Sequence, residues 1–509
     1  VSGTQAGRSG HGRHVVRLAH ALAAVASAVV LPGASADAPV VRPDRVVAAG
    51  DAGPWDVFGY SIGFDGTNLL LGARGVDVPA TNSGAVYAFR RVGDQWTQVQ
   101  KVVFPGAAAN SQIGTSVAVA GTVGAVGAPN RGVSGSSFVL RLSGGAWFSQ
   151  VELTDPSSAA GSRFGSSVAC SEDVIVVSAP NSAEGVGAGA GRVRVFDRVV
   201  QTWTAGQVIV APFPDPGDRF GESVALSGAW LAIGSPGDDD WAINSGAVFL
   251  FERVGPTFVL RTKLRPPSPQ AEAWFGSSVA FKGSAIVVGA PYEDRSAHDQ
   301  GVAYVYRMNA SGIPELDRTL TAATATESLN FGFSVGTDGT SVVVGAPGLQ
   351  VDEVAVGGAW VYLDQDTTVD AVLRPSGAPY LSLAGTSVGI AAGAVLAGSP
   401  AMQVGFSPSA GAALLLDRTR DCNANGTPDA IEVATGSASD VDEDGIPDSC
   451  QCRADLFVDG FVNGADLGVL LAQWGASSTI RPSDFNRDGF VNGDDLGFLL
   501  GRWGACPTP

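Results

Sequence analysis

Short apolar runs separated by Gly, Ser and Asp turns recur along the chain. In one stretch they are Ser223-Val224-Ala225-Leu226, Trp230-Leu231-Ala232-Ile233, Ala247-Val248-Phe249-Leu250-Phe251 and Phe258-Val259-Leu260-Arg261. Such runs bounded by turn residues are the signature of strands joined in hairpins. An aromatic-Gly pair, or Ile-Gly or Ala-Gly in its place, precedes each set, and a Gly-Ala-Pro-like turn follows its second run, as in Phe275-Gly276-Ser277-Ser278-Val279 with Ile286-Val287-Val288-Gly289-Ala290-Pro291. The unit occurs seven times, starting at Phe58, Ile113, Phe164, Phe220, Phe275, Phe331 and Ala384, with spacings of 55, 51, 56, 55, 56 and 53 residues. A fixed period of this size means a repeat architecture. Four strand patterns per unit and seven units predict an all-β chain, a seven-bladed β-propeller of four-stranded blades.

The large residue before each Gly suits a wedge between neighbouring blades, and the Gly suits a tight turn or close backbone approach. Two residues after that Gly stands a serine in every unit: Ser61, Ser116, Ser167, Ser223, Ser278, Ser334 and Ser387. A small polar side chain fits the innermost strands, where all blades converge. Seven identical nucleophiles without bases do not read as catalytic. The seventh unit has no fourth strand after Ala412–Leu416, where the chain turns polar and acidic. Arg45-Val46-Val47-Ala48 precedes Phe58-Gly59 as Lys101-Val102-Val103-Phe104 precedes Ile113-Gly114. Residues near 41–49 are therefore expected to supply the outer strand of the last blade and so remove open edges.

Between about Val41 and Arg418 these units resemble FG-GAP repeats, the family that builds the propeller of integrin α chains and of many secreted bacterial propellers. The resemblance implies a propeller whose ligand-facing side carries the turns before each Phe-Gly and the loops after each Gly-Ala-Pro. The calcium loop that integrin-type repeats often place between the first two strands has no room here, because that connection is as short as Lys282-Gly283-Ser284. The long loops of the implied face are Asp215–Arg219, Gly237–Asn244, Tyr292–Gln300 and Gly348–Gly357. Several are acidic, through Asp238, Asp239, Asp240, Glu293, Asp294, Asp299, Asp352 and Glu353. Long loops on a rigid scaffold are where binding usually resides, although acidic loops can also be merely solvated. Asp238-Asp239-Asp240 is a further, weaker place for a cation.

Composition narrows the function. Among 509 residues only 16% are charged, 68 are Gly, and the formal net charge is −18 with three lysines, Lys101, Lys263 and Lys282. A nucleic-acid partner is excluded, since phosphate binding needs clustered basic residues. Arg8, Arg13 and Arg17, the apolar stretch Leu18–Leu31 and Ala34-Ser35-Ala36 read as a secretory signal over residues 1–36, with a mature start near Asp37. Fourteen apolar residues are too few to span a bilayer, and no later segment is long enough, so no membrane span is expected. Residues 37–418 would form the propeller, 419–452 an acidic linker and 453–509 a second small domain.

Fifteen acidic and five basic residues fall between Thr419 and Pro509, and they are patterned. Asp421, Asn423, Asn425, Gly426, Asp429 and Glu432 form one cation loop, and Asp440, Asp442, Asp444, Gly445 and Asp448 another. Oxygen side chains at alternate positions converge on a hard cation, with Gly allowing the sharp turn. The alternative is a flexible acidic linker. This segment resembles thrombospondin type 3 calcium repeats. Downstream, a motif is duplicated 29 residues apart. Asp484, Asn486, Asp488, Gly489, Phe490, Asn492 and Asp495 fit a calcium loop in which Phe490 gives its main-chain carbonyl, and Leu496, Leu499, Leu500 and Trp503 follow at helical spacing. The first copy has Asp455, Asp459, Asn463 and Asp466, with helix positions Leu467, Leu470, Leu471 and Trp474. Phe457 stands where an oxygen ligand is expected, so this site should be weaker. The tandem pair resembles a type I dockerin, a small α-helical calcium-binding domain that docks onto cohesins. Family dockerins often carry a Ser/Thr pair at loop positions 10 and 11. Here these are Gly464-Ala465 and Gly493-Asp494, so a cohesin-like partner or a cell-surface attachment are both open.

Four of the five cysteines, Cys422, Cys450, Cys452 and Cys506, lie in this part, as an exported chain permits. They allow three pairings. One bracket around each module, Cys422–Cys450 and Cys452–Cys506, is the expected one, leaving Cys170 buried and inert on a strand. With calcium as the implied cofactor, the sequence points to a secreted, extracellular or cell-surface binding protein that takes a protein or glycan ligand on the propeller face. An enzyme is not expected: after the signal only His298 remains, so histidine triads and zinc-binding pairs are out. A structural surface component and a propeller-scaffold glycan-active enzyme stand as alternatives.

Overall fold

The computed structural model describes residues 40–506 except 42, 44, 93–94, 105, 323–325, 364–366, 368, 376–380, 423–426, 441–446, 458–460 and 477–480. The secretory segment, residues 1–36, lies outside the described residues. Seven four-stranded antiparallel units form the ring. Blade 1 is Phe58–Phe64, Asn68–Ala73, Ala85–Val92 and Gln95–Val102. Blade 4 is Val224–Ser227, Trp230–Ser235, Ala247–Val254 and Thr257–Leu264, and blade 5 is Ser278–Lys282, Ala285–Ala290, Val302–Met308 and Pro314–Leu320.

Burial follows position in the blade. The second strands, such as Ala285–Ala290, are buried at every residue in five blades and at all but the first residue in the other two, because a neighbouring blade covers each face. The outer strand Thr257–Leu264 is exposed at Thr257, Val259 and Arg261 and buried at Phe258 and Leu264. The predicted wedge residues Phe58, Phe220, Phe275 and Phe331 have no exposure. Phe275 sits in one cluster with Val248 and Leu250 of blade 4 and Ile286 and Val288 of its own blade, and meets Tyr304 edge-on at 5.6 Å between ring centroids. Burying such a ring is worth about 1.5–3 kcal/mol.

The ring closes as the sequence implied. Blade 7 is Ser387–Ala391, Ala394–Ser399 and Ala412–Asp417, and its fourth strand is Arg45–Val47, antiparallel to Ala413–Leu415. One strand was not foreseen. Val40–Val41 runs parallel to Val372 and Leu373 as a fifth strand on blade 6. The helix Asp429–Thr435 packs against this region, its Ala430 and Ile431 joining Val41 in one cluster.

The serine of each first strand has a specific task that sequence reasoning missed. Ser61 Oγ donates to the Gly114 carbonyl at 2.8 Å, Ser278 Oγ to Gly332 at 2.8 Å, and Ser387 Oγ to Gly59 at 2.8 Å. Ser116, Ser223 and Ser334 do the same. Each bond runs to the Phe-Gly glycine (Ile-Gly or Ala-Gly in two units) of the next blade. It passes over the glycine of its own Gly-Ala-Pro turn. A Cβ on Gly289 would lie 1.9 Å from the Gly332 carbonyl oxygen and 2.4 Å from Ser278 Oγ. Six seams are stapled this way. At the seam between blades 3 and 4 the turn residue is Ser178, whose Oγ accepts from the Ser167 amide at 3.0 Å, and Ser167 Oγ instead accepts from the Val224 amide at 3.2 Å.

Among the described residues the remaining α-helices are Gly464–Ala472 and Gly493–Leu500, beside one 3-10 turn at Asp448–Cys450, and no helix is long and apolar enough to cross a membrane. The two helices stop short of Trp474 and Trp503, which the helical spacing had included. Gly475 and Gly504, at φ 107° and 133°, instead turn the chain into two-residue strands. The pairing is crossed: Phe461–Val462 with Gly504–Ala505, and Gly475–Ala476 with Phe490–Val491. Val462, Leu470, Phe485, Val491 and Leu499 form the shared core. The cysteines pair as Cys422–Cys450 and Cys452–Cys506, with Cα separations of 5.7 and 5.3 Å.

Candidate cation sites and recognition face

The second loop of the C-terminal module is the most complete of the candidate cation sites. Asp484, Asn486, Asp488, Phe490 and Asp495 lie along one turn tied by hydrogen bonds, with both Asp495 oxygens accepting from the Phe485 and Asn492 amides rather than gathered with Asp484 and Asp488 at one point. The Gly489 amide donates to Asp484 Oδ2 at 3.0 Å, and the Phe490 amide to Asp488 Oδ1 at 2.8 Å. Gly489 stands at φ 88°, which the sharp turn needs and a side chain would resist. Asn492 caps the following helix, and Asp495 closes a capping box by accepting from the Asn492 amide at 2.9 Å. Asp484 is 5% exposed, and its Oδ1 is buried without a hydrogen-bond partner. A buried acceptor left without a partner carries a desolvation cost. A cation would remove that cost, so this donor set fits a hard ion.

The first loop repeats part of this arrangement. Asp466 is fully buried and accepts from the Phe457 and Asn463 amides, both at 2.8 Å. Burial alone would raise its pKa, but these donors outweigh it and hold the carboxyl below the usual range. Phe457 is exposed, and Asp455 Oδ2 lies 3.5 Å from Cys506 Sγ. Asp459 lies outside the described residues.

In the linker, Asp429 and Glu432 are buried on the helix Asp429–Thr435, and Asp429 Oδ1 accepts from the Cys422 amide at 2.9 Å. Burial, with the carboxylates of Glu432 and Asp421 nearby, raises the Asp429 pKa. Asn423 and Asn425 lie outside the described residues, as do Asp442 and Asp444. Asp440 is half-buried. Asp448 is held by Arg453 at 2.6 Å and by Ser439 Oγ at 2.7 Å. Arg453 also reaches the Phe485 carbonyl at 2.9 Å, which ties the linker to the terminal module.

On the propeller, the loops after each Gly-Ala-Pro and the turns before each Phe-Gly share one face and are bonded to each other. The Gly75 amide donates to Asp56, Gly237 to Asp218, and Gly348 to Leu329. The residue before each Phe-Gly, or its Ile-Gly and Ala-Gly counterparts, is left-handed in all seven units: Val57, Gln112, Arg163, Arg219, Trp274, Asn330 and Leu383 have φ between 52° and 60°. Sequence reasoning missed this, because no single residue type marks it.

The acidic loops divide into two kinds. Asp239, Asp294, Asp352 and Glu353 are exposed. Asp238 is buried and bonded to Lys263 at 2.7 Å, and Lys263 also grips Asp240. This ammonium offsets part of the charge of Asp238 and Asp240 and leaves Asp239 outside the pairing. Glu293 has no exposure and is held by Tyr304 at 2.7 Å and Arg295 at 3.0 Å, so it braces its loop from beneath. Asp218 lies under the same face at 4% exposure. Burial, with Asp238 and Asp215 adding repulsion, pushes its pKa up to about 7.

Four stretches of the chain, residues 45–89, 147–196, 203–251 and 258–306, match the family model described as FG-GAP repeat. No curated protein matches the chain. The chain thus carries FG-GAP repeats on a seven-bladed propeller, a fold that fits binding or adhesion in general.

Proposed function

We propose that this is a secreted, non-enzymatic binding or adhesion protein that recognises a protein or glycan on the long-loop face and docks through calcium-dependent C-terminal modules. The observation that carries the reading is the mutual bonding of loops and turns on one face, Gly75 to Asp56 and Gly348 to Leu329 among them. Loops held in advance lose less entropy on binding than free ones. Exposed Asp239 and Asp294 offer charge there.

In the tail, Asp484, Asn486, Asp488, Asp495 and the Phe490 carbonyl would hold calcium, and the buried Oδ1 of Asp484 supports that assignment. The ion would neutralise the loop and fix the start of the Gly493–Leu500 helix. Two disulfides accord with an oxidising, exported setting. The docking partner would be a cohesin-like domain or a cell-surface component.

Capture from envelope extracts by the full chain tests the reading, with and without chelator. A specific ligand retained by the wild type and lost in the Asp239→Ala/Asp294→Ala variant supports recognition by this face. Equal capture by both would overturn it and leave a structural surface role. Calorimetric titration of the full chain should show calcium binding in the roughly 10⁻⁷ to 10⁻³ M range, with one site lost in Asp484→Ala. No heat in the wild type would remove calcium from the proposal.

A further inference from the structure

The centre of the loop face differs in charge from its surroundings. A cavity of about 120 Å³ is lined by Tyr60, Thr115, Arg163, Ser166, Pro180, Asn181, Arg219 and Glu222. These residues come from blades 1 to 4, so the cavity lies where the first strands converge at the mouth of the central channel. Arg163 and Arg219 occupy the left-handed position before Phe164 and Phe220. The same backbone turn that joins the blades therefore fixes both cations at the rim.

The two arginines are not equivalent. Arg219 pairs with Glu222 at 2.7 Å and stacks over Trp274 at 5.4 Å. The Arg163 guanidinium has no carboxylate partner among the described residues, and its Nε is buried with no hydrogen-bond partner. Arg74 lies beside the cavity with its guanidinium 3.7 Å above the Tyr60 ring. In a chain of net charge −18, the cavity carries two arginines against one glutamate. A buried donor left unpaired costs about 1–3 kcal/mol, and the planar guanidinium fork matches a carboxylate in particular.

We propose that this channel mouth is a binding pocket for an acidic sugar residue, with the carboxylate on Arg163. Pockets for drug-sized ligands run from about 300 Å³ upward, so a cavity of this size takes the carboxylate edge of one acidic unit, with the rest of the ring outside it, and not a large ligand. Apart from its charges the lining is the Asn181 amide, Pro180, the Tyr60 ring and the Thr115 and Ser166 hydroxyls, which donate to the Gln112 and Arg163 carbonyls and so face a ligand as acceptors for sugar hydroxyls. Glu222 is the built-in competitor: it occupies Arg219, the second cation an incoming carboxylate would use. The inference rests on the loop face being the recognition face and names the class of ligand it takes.

The test is titration of the full chain with galacturonate, followed by ligand-observed NMR, beside galactose, N-acetylaspartate amide and inorganic sulfate. Saturable binding of galacturonate and none of galactose is expected. Arg163→Gln should weaken galacturonate about tenfold or more, the effect of one charged hydrogen-bond pair. Glu222→Gln should tighten it several-fold by freeing Arg219, and misfolding cannot produce a gain. No binding of galacturonate, or equal binding by wild type and both variants, overturns the pocket. Binding of sulfate or N-acetylaspartate amide without galacturonate overturns the sugar assignment. If galacturonate fails while extract capture is still lost in Asp239→Ala/Asp294→Ala, the pocket falls and the recognition face stands.

Discussion

Replacing Gly289 by Ala probes the way the blades are joined. The added methyl would sit 1.9 Å from the Gly332 oxygen and 2.4 Å from Ser278 Oγ. Ordinary contact needs well over 3 Å, and one of the two neighbours is backbone of the next blade, so the seam must open. The first cost is the Ser278–Gly332 hydrogen bond, net about 1 kcal/mol. The second is the overpacking of a close-packed interface, about 1–3 kcal/mol. Together about 2–4 kcal/mol should be lost, read as a lower guanidinium midpoint for unfolding by tryptophan fluorescence. Ser278→Ala alone should cost only about 1 kcal/mol. The double variant is decisive. Gly289→Ala has already broken the bond, and removing Oγ relieves part of the clash, so the double variant should be no less stable than Gly289→Ala. Strictly additive losses, or a Gly289→Ala loss below about 0.5 kcal/mol, would refute the staple.

Acidification tests Asp218. Its folded pKa, about 7, lies above the ordinary aspartate value, so between these values the folded state binds the extra proton. Its contribution is therefore fully present at low pH and lost as pH rises from ~4 to ~7, by up to about 1.4 kcal/mol per unit. Stability measured from pH 5 to 8 should fall less steeply in Asp218→Asn, and equal slopes would rule the assignment out. Deleting residues 37–49 removes the outer strand of blade 7 and the burial of Val41 and Val47. Roughly 3–6 kcal/mol should be lost with these two valines; an unchanged melting temperature would count against the closure. Cys170 is half-buried on its strand rather than fully buried as expected, yet burial of its thiol pushes the pKa up to about 12; it should react with iodoacetamide far more slowly in the native state than after guanidinium unfolds the chain, and equal rates would rule that shift out.

The ring was legible because its cause is local and repeated. A glycine and a turn recur in every unit, with an aromatic wedge before the glycine in five of the seven, and the orphan strand at Arg45–Val47 matched the pattern of the strands that precede the other units. The cysteine brackets were legible from module boundaries. What sequence could not supply were contacts between blades and choices between partners. Nothing in Ser278 announces that its acceptor is Gly332, 54 residues on, although the paired glycine in the turn beneath was a usable sign. Val40–Val41 is too short to stand out, and its place on blade 6 depends on a parallel pairing with Val372 and Leu373. Glu293 and Asp238 read as exposed loop charges because composition cannot see Tyr304, Arg295 or Lys263 beneath them. Trp474 and Trp503 fit the helical period, but the helices end before them.

The seam between the last blade and the first also sets the order in which the molecule can be finished. Ser387 bonds to Gly59 across 328 positions, and Arg45–Val47 must find Ala413–Leu415 across a comparable distance. Blades 1 to 6 can each form their own hairpins as soon as their residues are available, but this joint requires both extremities of the propeller at once. Contacts so far apart in sequence are slow to form. Until they do, the edge strands of blades 1 and 7 are open to the wrong partner, including a second copy of the chain. A chain stalled before residue 412 would present an unsealed arc, so the sealing step is the one that a folding helper would have most reason to protect.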